Sequence, residues 1–271
     1  MEIKGGNGGL HGALENVRRA NCWLIDVDSF YPSIMISEGL FPPIRRTKRF
    51  AEMLDEKRNG MKAMKLLLNS VYGLCDKDLR ELIAHRGQDL LNMLIASIGG
   101  ELIQVNTDGI IISGPDWDAL KVWEHKTGMV TTRQPVKVIY QKNVNNYVFE
   151  DDAGNIIRKG VLSGNGIVNV MVARRLLHGT PFEESARQGG TLDYCEIVPC
   201  DWYEVEGIRY QSEYCRIIHV TEDAPMVIID GQPKGRRIRV MAGDVSNEPL
   251  PKIDYAYYIA CSKEVFAKWE I

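Results

Sequence analysis

Short apolar runs in the first half of the chain end repeatedly in polar turn residues. Residues 22–27 form a strand candidate that ends in carboxylates, and a helix is expected to begin within 29–33. Residues 102–105 and 110–112 predict two further strands around the turn 106–109, where Asp-Gly is a strong hairpin signal. The pattern predicts a sheet whose strands end in acidic residues.

Helical spacing then dominates residues 47–72. Pro42-Pro43 breaks the chain before this stretch, and Asn59-Gly60 interrupts it, so we expect two short helices. Gly73 stands where a helix commonly ends. A further helix is predicted over 87–97.

In the second half of the chain the pattern of hydrophobic and polar residues changes. Strands predicted around 138–140 and 146–149 lead to a turn at 152–155. From about 164 the pattern predicts a helix over 168–178 and then β-rich segments. We therefore expect an α+β fold with a domain boundary near residue 164.

Composition narrows the class of protein. The 271 residues are 45% hydrophobic and 25% charged, which is typical of a globular chain and excludes a disordered or collagen-like one. The net charge of -3 means that nucleic-acid binding would depend on local basic clusters such as residues 45–65. The six cysteines include no CxxC pair, which favours reduced thiols. Without a signal peptide or a membrane-length apolar run, we expect a cytoplasmic protein with no membrane partner.

Two carboxylates carry the first chemical signal. Asp26 closes an apolar strand, and Asp108 lies at the tip of an apolar hairpin. A carboxylate in such a place is costly unless it is paired or bound to metal, and two on adjacent strands would suit Mg²⁺. Each residue alone is equally typical of an ordinary strand end or turn.

A row of polar residues carries the second signal. Lys62, Lys65, Asn69 and Tyr72 are spaced three, four and three apart and share one helix face. Arg58 extends the row only if the helix continues through the interruption that follows it. Such a face suits a triphosphate and a base pair, although a solvated amphipathic helix gives the same pattern.

Three segments in sequence order resemble the motifs of family B DNA polymerases. DVDSFYPS (26–33) is similar to motif A, KLLLNSVYG (65–73) to motif B, and NTDG (106–109) to a variant of motif C found in phage-type members. GGLHG (8–12) resembles the glycine loop that precedes motif A in phage members, and KNVNNYVF (142–149) resembles the family's KxY region. RKG (158–160) and the C-terminal segment resemble later parts of the family, so the resemblance covers nearly the whole chain.

The resemblance implies a polymerase core. We expect a palm with an antiparallel sheet at 1–35 and 83–163, short helical fingers at 36–82 and a thumb-like region at 164–271. Implied site residues are the metal ligands Asp26, Asp108 and the Val27 carbonyl; the substrate contacts Tyr31, Lys65, Asn69, Tyr72, Arg58 and Lys62; and the DNA contacts Lys142, Tyr147, Gly8 and Gly9. Tyr31 would exclude a 2′-hydroxyl, and Lys65 would neutralise phosphate charge.

The implied reaction is template-directed transfer of a nucleotide from a dNTP to a primer 3′-hydroxyl. It would use two Mg²⁺ ions, with Mn²⁺ as an alternative. Expected partners are primer-template DNA, dNTPs and a separate exonuclease or polymerase chain, in a phage or prophage protein of a bacterial host. No exonuclease motifs precede the glycine loop, so we expect no proofreading by this chain.

Two departures from the family keep alternatives open. Asn106 replaces the usual first aspartate of motif C, and only 31 residues separate the motif A and motif B segments, which predicts shortened fingers. A non-catalytic primer-template binding subunit, or a fragment of a split or degenerate phage polymerase, is therefore the main alternative. A nuclease that uses the same carboxylates is a second, although it would have no use for the lysine-asparagine-tyrosine face.

Overall fold

The computed structural model describes residues 1–6, 9–41, 47–61, 63–164, 166–241 and 251–269. The chain divides into two compact units, Met1–Ile157 and Arg158–Ile271. The division falls shortly before residue 164, where the pattern of hydrophobic and polar residues changes.

An antiparallel sheet is the framework of the first unit. Its eight strands lie in the order β1-β2-β4-β5-β3-β6-β7-β8, and neighbours from β1 to β7 pair antiparallel. The strands are β1 (Lys4–Gly6), β2 (Gly9–Ala13), β3 (Val17–Val27), β4 (Glu101–Asn106), β5 (Gly109–Ser113), β6 (Thr131–Asn143), β7 (Asn146–Asp151) and β8 (Ile156–Lys159). The division between the units falls within β8.

The strand predictions are confirmed, and β3 extends further than its apolar run. It begins at Val17 because its first residues pair with β6 even where they are polar and exposed. At its other end Asp26 pairs with Gly109, and the Val27 amide donates to the Asp108 carbonyl at 2.7 Å. This register sets the two carboxylate-bearing ends side by side.

Among the described residues of the first unit are five helices: α1 (Phe30–Glu38), α2 (Thr47–Arg58), α3 (Ala63–Gly73), α4 (Lys77–Ile98) and α5 (Trp117–Thr127). The predicted break between two short helices is confirmed by the gap between α2 and α3. The helix predicted over 87–97 is wrong at its start, because the Asp76 side chain accepts a hydrogen bond from the Leu79 amide and begins α4 ten residues earlier.

The core of the first unit explains why the strand end is polar on one side only. Ile25 and Val27 are buried in the hydrophobic cluster that includes Leu91 and Leu94 of α4. Since successive side chains of a strand point to opposite faces, Asp26 lies on the other face of the sheet. Burial of its neighbours therefore fixes the direction of the carboxylate.

Among its described residues the second unit has three α-helices and two small sheets, which confirms the helix predicted at 168–178 and the β-rich pattern after it. Its sheets have the orders β11-β10-β13-β14 and β15-β12-β9. The elements are α6 (Ile167–His178), α7 (Phe182–Ser185), β9 (Glu196–Pro199), β10 (Trp202–Val205), β11 (Ile208–Gln211), β12 (Tyr214–His219), β13 (Val227–Ile229), β14 (Gln232–Gly235), β15 (Ile238–Met241) and α8 (Tyr255–Ala267). In the part of the chain described, no helix has the length and apolarity needed to cross a membrane.

Candidate active site

A cavity of about 170 Å³ opens at the end of β3. The end of β3, the start of α1, Lys57 of α2, one face of α3 and the β4–β5 turn form its walls. Six of the residues singled out in the sequence line it: Asp26, Val27, Tyr31, Lys65, Asn69 and Asp108. Residues from three separate sequence segments thus meet at one place.

The two carboxylates share an unfavourable electrostatic environment. Burial raises the pKa of Asp26 to about 6, and the negative charges of Asp108 and Asp28 add to the shift. Desolvation by the surrounding protein also raises the pKa of Asp108, although the residue as a whole is exposed to solvent. Lys65 opposes both shifts without cancelling them. The cavity therefore holds more negative charge than its own cations neutralise.

Such a pair fits a hard divalent cation. Carboxylate and carbonyl oxygens are the ligands that Mg²⁺ prefers, and a cation here would relieve the raised pKa values. Asp26, Asp108 and the Val27 carbonyl would hold it. Within the described ranges no group of three or more His, Cys, Asp and Glu side chains converges, so a bound ion would complete its shell with water or substrate oxygens.

Glycines permit the close approach of the backbone around the carboxylates. A Cβ atom on Gly109 would lie 2.8 Å from the Ile25 carbonyl oxygen and 3.0 Å from Asp26 Oδ1. Gly9 has φ +108°, and a Cβ there would lie 3.0 Å from the Tyr31 hydroxyl and 3.1 Å from Thr107 Cα. Gly9 therefore lies beside the site, whereas Gly8 lies outside the described residues.

Two tyrosines from different helices stack beside the cavity. The rings of Tyr31 and Tyr72 lie 4.8 Å apart at an interplanar angle of 15°. The Tyr31 hydroxyl is buried and has no hydrogen-bond partner among the described residues. Burial raises the pKa of Tyr31 to about 12, with smaller contributions from Tyr72 and Asp108. The phenol is thus uncharged and has an unused hydrogen-bonding group.

Gly87 of α4 positions Tyr31 and was missed in the sequence. A Cβ at this buried position would lie 3.1 Å from Phe30 Cε1 and 3.2 Å from Tyr31 Cε1. The absence of a side chain lets α1 pack directly on α4. A glycine inside an otherwise helical pattern was the available signal, but it was interpreted as a helix start.

The polar face of α3 is brought to the site in part. Lys65 and Asn69 line the cavity and are exposed, while Leu68 between them is buried in the core. Leu66 and Leu67 of the same helix are exposed, so α3 packs into the core through only part of its apolar residues. The prediction for Lys62 lies outside the described residues.

Arg58 forms an ion pair with Asp28, which lines the cavity. Because α2 ends at this residue, it does not continue the α3 face. Its Nε donates to Asp28 Oδ2 at 3.2 Å, and the neighbouring Lys57 forms an ion pair with Asp28 Oδ1. Burial alone would raise the pKa of Asp28, but the hydrogen bonds from these two cations hold that pKa below its usual value.

The residues predicted to hold the primer lie on the β6–β7 hairpin. Burial raises the pKa of Tyr147, and the negative charges of Asp108 and Asp26 add to this rise. A hydrogen bond with Gln104 opposes it. The Lys142 carbonyl accepts from the Asn16 amide at 3.3 Å. Neither Lys142 nor Tyr147 lines the cavity.

Comparison with solved structures defines the class of fold: it resembles that of family B DNA polymerases. One such structure is the family B DNA polymerase from the hyperthermophilic archaeon Pyrobaculum calidifontis, with a TM-score of 0.57 and 12% sequence identity. The match covers 95% of this chain and 46% of that polymerase, so the chain spans less than half of its length. No family model and no curated protein sequence matches the chain. The likeness establishes the fold, and the phage-type origin stays a prediction.

Proposed function

We propose that this chain catalyses Mg²⁺-dependent, template-directed DNA synthesis. The observation that carries the proposal is the meeting of Asp26, Asp108, Tyr31, Lys65 and Asn69 around one cavity in a family B polymerase-like fold. In this assignment 1–35 and 83–163 are the palm, 36–82 the fingers and 164–271 the thumb-like region.

Each side chain has a role that follows from its position. Asp26 and Asp108 supply the negative charge that holds metal, and bound Mg²⁺ would activate the primer hydroxyl and stabilise the leaving pyrophosphate. Lys65, exposed on the cavity wall, neutralises phosphate charge. Asn69 and the Tyr31–Tyr72 stack offer an amide and a flat apolar surface to the base pair and sugar.

Primer extension tests the proposal. Labelled primer-template, four dNTPs and Mg²⁺ are incubated with wild type, with Asp26→Asn and with Asp118→Asn. Asp118 pairs with Lys121 on α5 and does not line the cavity, so its variant controls for the change in net charge. Extension by wild type and Asp118→Asn alone supports the proposal, and equal extension by Asp26→Asn contradicts it.

A non-catalytic primer-template binding subunit is the second candidate. Two observations favour it: Asp28 forms ion pairs with both cations at the end of α2, and Asn106 leaves the turn at 106–109 with Asp108 as its one carboxylate. Tight binding of primer-template without extension at high dNTP concentration would establish this candidate instead. Rescue of extension by a second polymerase chain would point to a split enzyme.

A further inference from the structure

The end of α2 is tied to the end of β3 by a cluster of charged and hydroxyl groups. Asp28 forms ion pairs with Lys57 and Arg58 through its two carboxylate oxygens. Lys57 Nζ also donates to Ser29 Oγ at 2.6 Å, and Arg58 Nη2 donates to Ser33 Oγ at 3.4 Å. Each of the two cations is therefore held by Asp28 and by one serine hydroxyl, at the junction of β3 and α1.

These ion pairs are partly withdrawn from water. The exposed fractions of the side chains are 17% for Asp28, 20% for Lys57 and 31% for Arg58. Screening is weaker in such a place than at an open surface, so the charges affect one another and any neighbouring anion. Asp28 and Lys57 also line the cavity itself.

The cluster determines which charges a polyanion would meet. Asp28 neutralises Lys57 and Arg58 at the end of α2, and it lines the cavity together with Asp26 and Asp108. A chain of phosphates entering beside Lys65 would be repelled by Asp28 and would compete with it for Lys57 and Arg58. The same two cations cannot serve both partners fully.

We propose that Asp28 is a positioning residue that restrains binding of a polyphosphate by holding Lys57 and Arg58 in ion pairs. The occupant of the site is the triphosphate of a nucleotide, so this inference rests on the proposed function. Binding would transfer the two cations from the carboxylate to phosphate oxygens. Asp28 thereby sets a higher nucleotide concentration for occupancy and acts on KM more than on kcat.

Sodium tripolyphosphate, titrated calorimetrically without metal, is the probe for the test. Asp28→Asn keeps the shape and removes the charge, and we expect it to bind about fivefold more tightly than wild type, which is about 1 kcal/mol at 25 °C. Asp28→Glu restores the charge and should return the affinity toward wild type. Asp118→Asn, with the same change in net charge, should leave it unchanged.

A double-mutant cycle separates restraint from support of the fold. Lys57→Gln should cost little affinity in wild type, where Asp28 already neutralises the lysine, and more in the Asp28→Asn background, where the lysine is released. Unchanged tripolyphosphate affinity in Asp28→Asn with lowered thermal stability would show a purely structural clamp and overturn the proposal. A loss of affinity would overturn it as well, because Asp28 would then be organising the cations for phosphate.

Steady-state kinetics distinguishes this proposal from the proposed function. In primer extension, Asp28→Asn should lower KM for dNTP several-fold while kcat changes less. If wild type extends no primer but Asp28→Asn binds tripolyphosphate more tightly, the restraint stands and the polymerase assignment fails. If wild type extends primers and Asp28→Asn has the affinity and KM of wild type, only the restraint fails.

Discussion

Polar groups are withdrawn from water both in the cavity at the end of β3 and around the buried tyrosines of the second unit, but they are satisfied differently. In the second unit the Tyr258 hydroxyl donates to the Tyr194 carbonyl at 2.7 Å and accepts from the His219 amide at 3.0 Å. In the cavity the Tyr31 hydroxyl has no partner among the described residues, and Asp26 has a raised pKa.

This difference in hydrogen bonding indicates which region serves the stability of the fold and which is suited to bind a ligand. Buried polar groups in folded proteins are normally paired, and an exception calls for an explanation such as a ligand or a catalytic role. In the second unit the Tyr194 and Tyr258 hydroxyls are hydrogen-bonded to backbone groups of the same unit. The cavity keeps unused hydrogen-bonding capacity and excess negative charge, which a metal ion and a substrate could use.

Loss of one cavity carboxylate should give the largest effect. Asp108→Asn should reduce nucleotide incorporation by a factor on the order of 10³ or more, since one of the two charges proposed to hold Mg²⁺ is lost. Affinity for primer-template, measured by fluorescence anisotropy, should stay within about threefold of wild type, because the residues proposed to hold the primer, Lys142 and Tyr147, do not line the cavity. Activity close to wild type would mean that the carboxylates belong to an ordinary strand end and turn.

A methyl group at the hairpin should disturb the same site without touching its chemistry. In Gly109→Ala the new Cβ must displace the Ile25 carbonyl or Asp26, so incorporation should fall by about 10²-fold through misplacement. Gly166→Ala is the matched control, because nothing lies within 4 Å of a Cβ there. Comparable activity in the two variants would show that the register at Asp26 has no bearing on catalysis.

The pH dependence of stability should reveal the uncompensated charge directly. The pKa of Asp26 is about 6 against an ordinary 3.8, so the folded chain binds this proton more tightly than the unfolded chain does. The protonated Asp26 carboxyl therefore stabilises the folded chain relative to the ionised form. This stabilisation is fully present below about pH 4 and is lost as pH rises through about 6. Without metal, Asp26→Asn should therefore equal wild type near pH 4 and exceed it by about 1–2 kcal/mol at pH 7.5, allowing for partial solvent screening.

Urea unfolding at several pH values measures this difference, and added Mg²⁺ should reduce it by stabilising wild type alone. Asp118→Asn is the control, because its carboxylate pairs with Lys121 and its pKa is lowered rather than raised. A parallel pH dependence in wild type and Asp26→Asn would contradict the assignment of a destabilising charge to Asp26.

Removal of one hydroxyl from each region gives the smallest and most direct comparison. Tyr258→Phe should lower the free energy of unfolding by about 1–3 kcal/mol, because a carbonyl and an amide lose their partner. Tyr31→Phe should change the free energy of unfolding by less than about 0.5 kcal/mol, since its hydroxyl has no hydrogen-bond partner in the described part of the chain. Thermal unfolding of both variants checks this, and equal losses would remove the distinction between the regions.

Much of the site's scaffold could be predicted because its signals are local. The apolar run before Asp26 and the Asp-Gly turn after Thr107 each predict a strand end or a hairpin without reference to the rest of the chain. The spacing of Lys65 and Asn69 likewise defines one helix face. In the sequence, only the resemblance to polymerase motifs connects the strand end, the hairpin turn and the helix face. In the structure all three contribute residues to the cavity wall.

The remainder depends on tertiary contacts that no local pattern contains. The partnership of Asp28 with Lys57 and Arg58 requires α2 to pack back on the strand end. The continuous helix that would have extended the α3 face to Arg58 does not form, because α2 ends at this residue. The role of Gly87 depends on how closely α1 approaches α4. The start of α4 was a different failure, because the capping aspartate Asp76 was a local signal that the sequence interpretation overlooked.

The pairing of β3 with β5 also has a kinetic consequence. All of α1 to α4 lies between these strands in the chain, so a long segment must close before Asp26 meets the hairpin that carries Asp108. Loop closure of this kind makes non-local sheet pairing slow relative to helix formation. The helices should therefore be present in early folding species in which Asp26 and Asp108 are still apart. The carboxylate pair proposed to hold Mg²⁺ should form only in the cooperative step that completes the sheet.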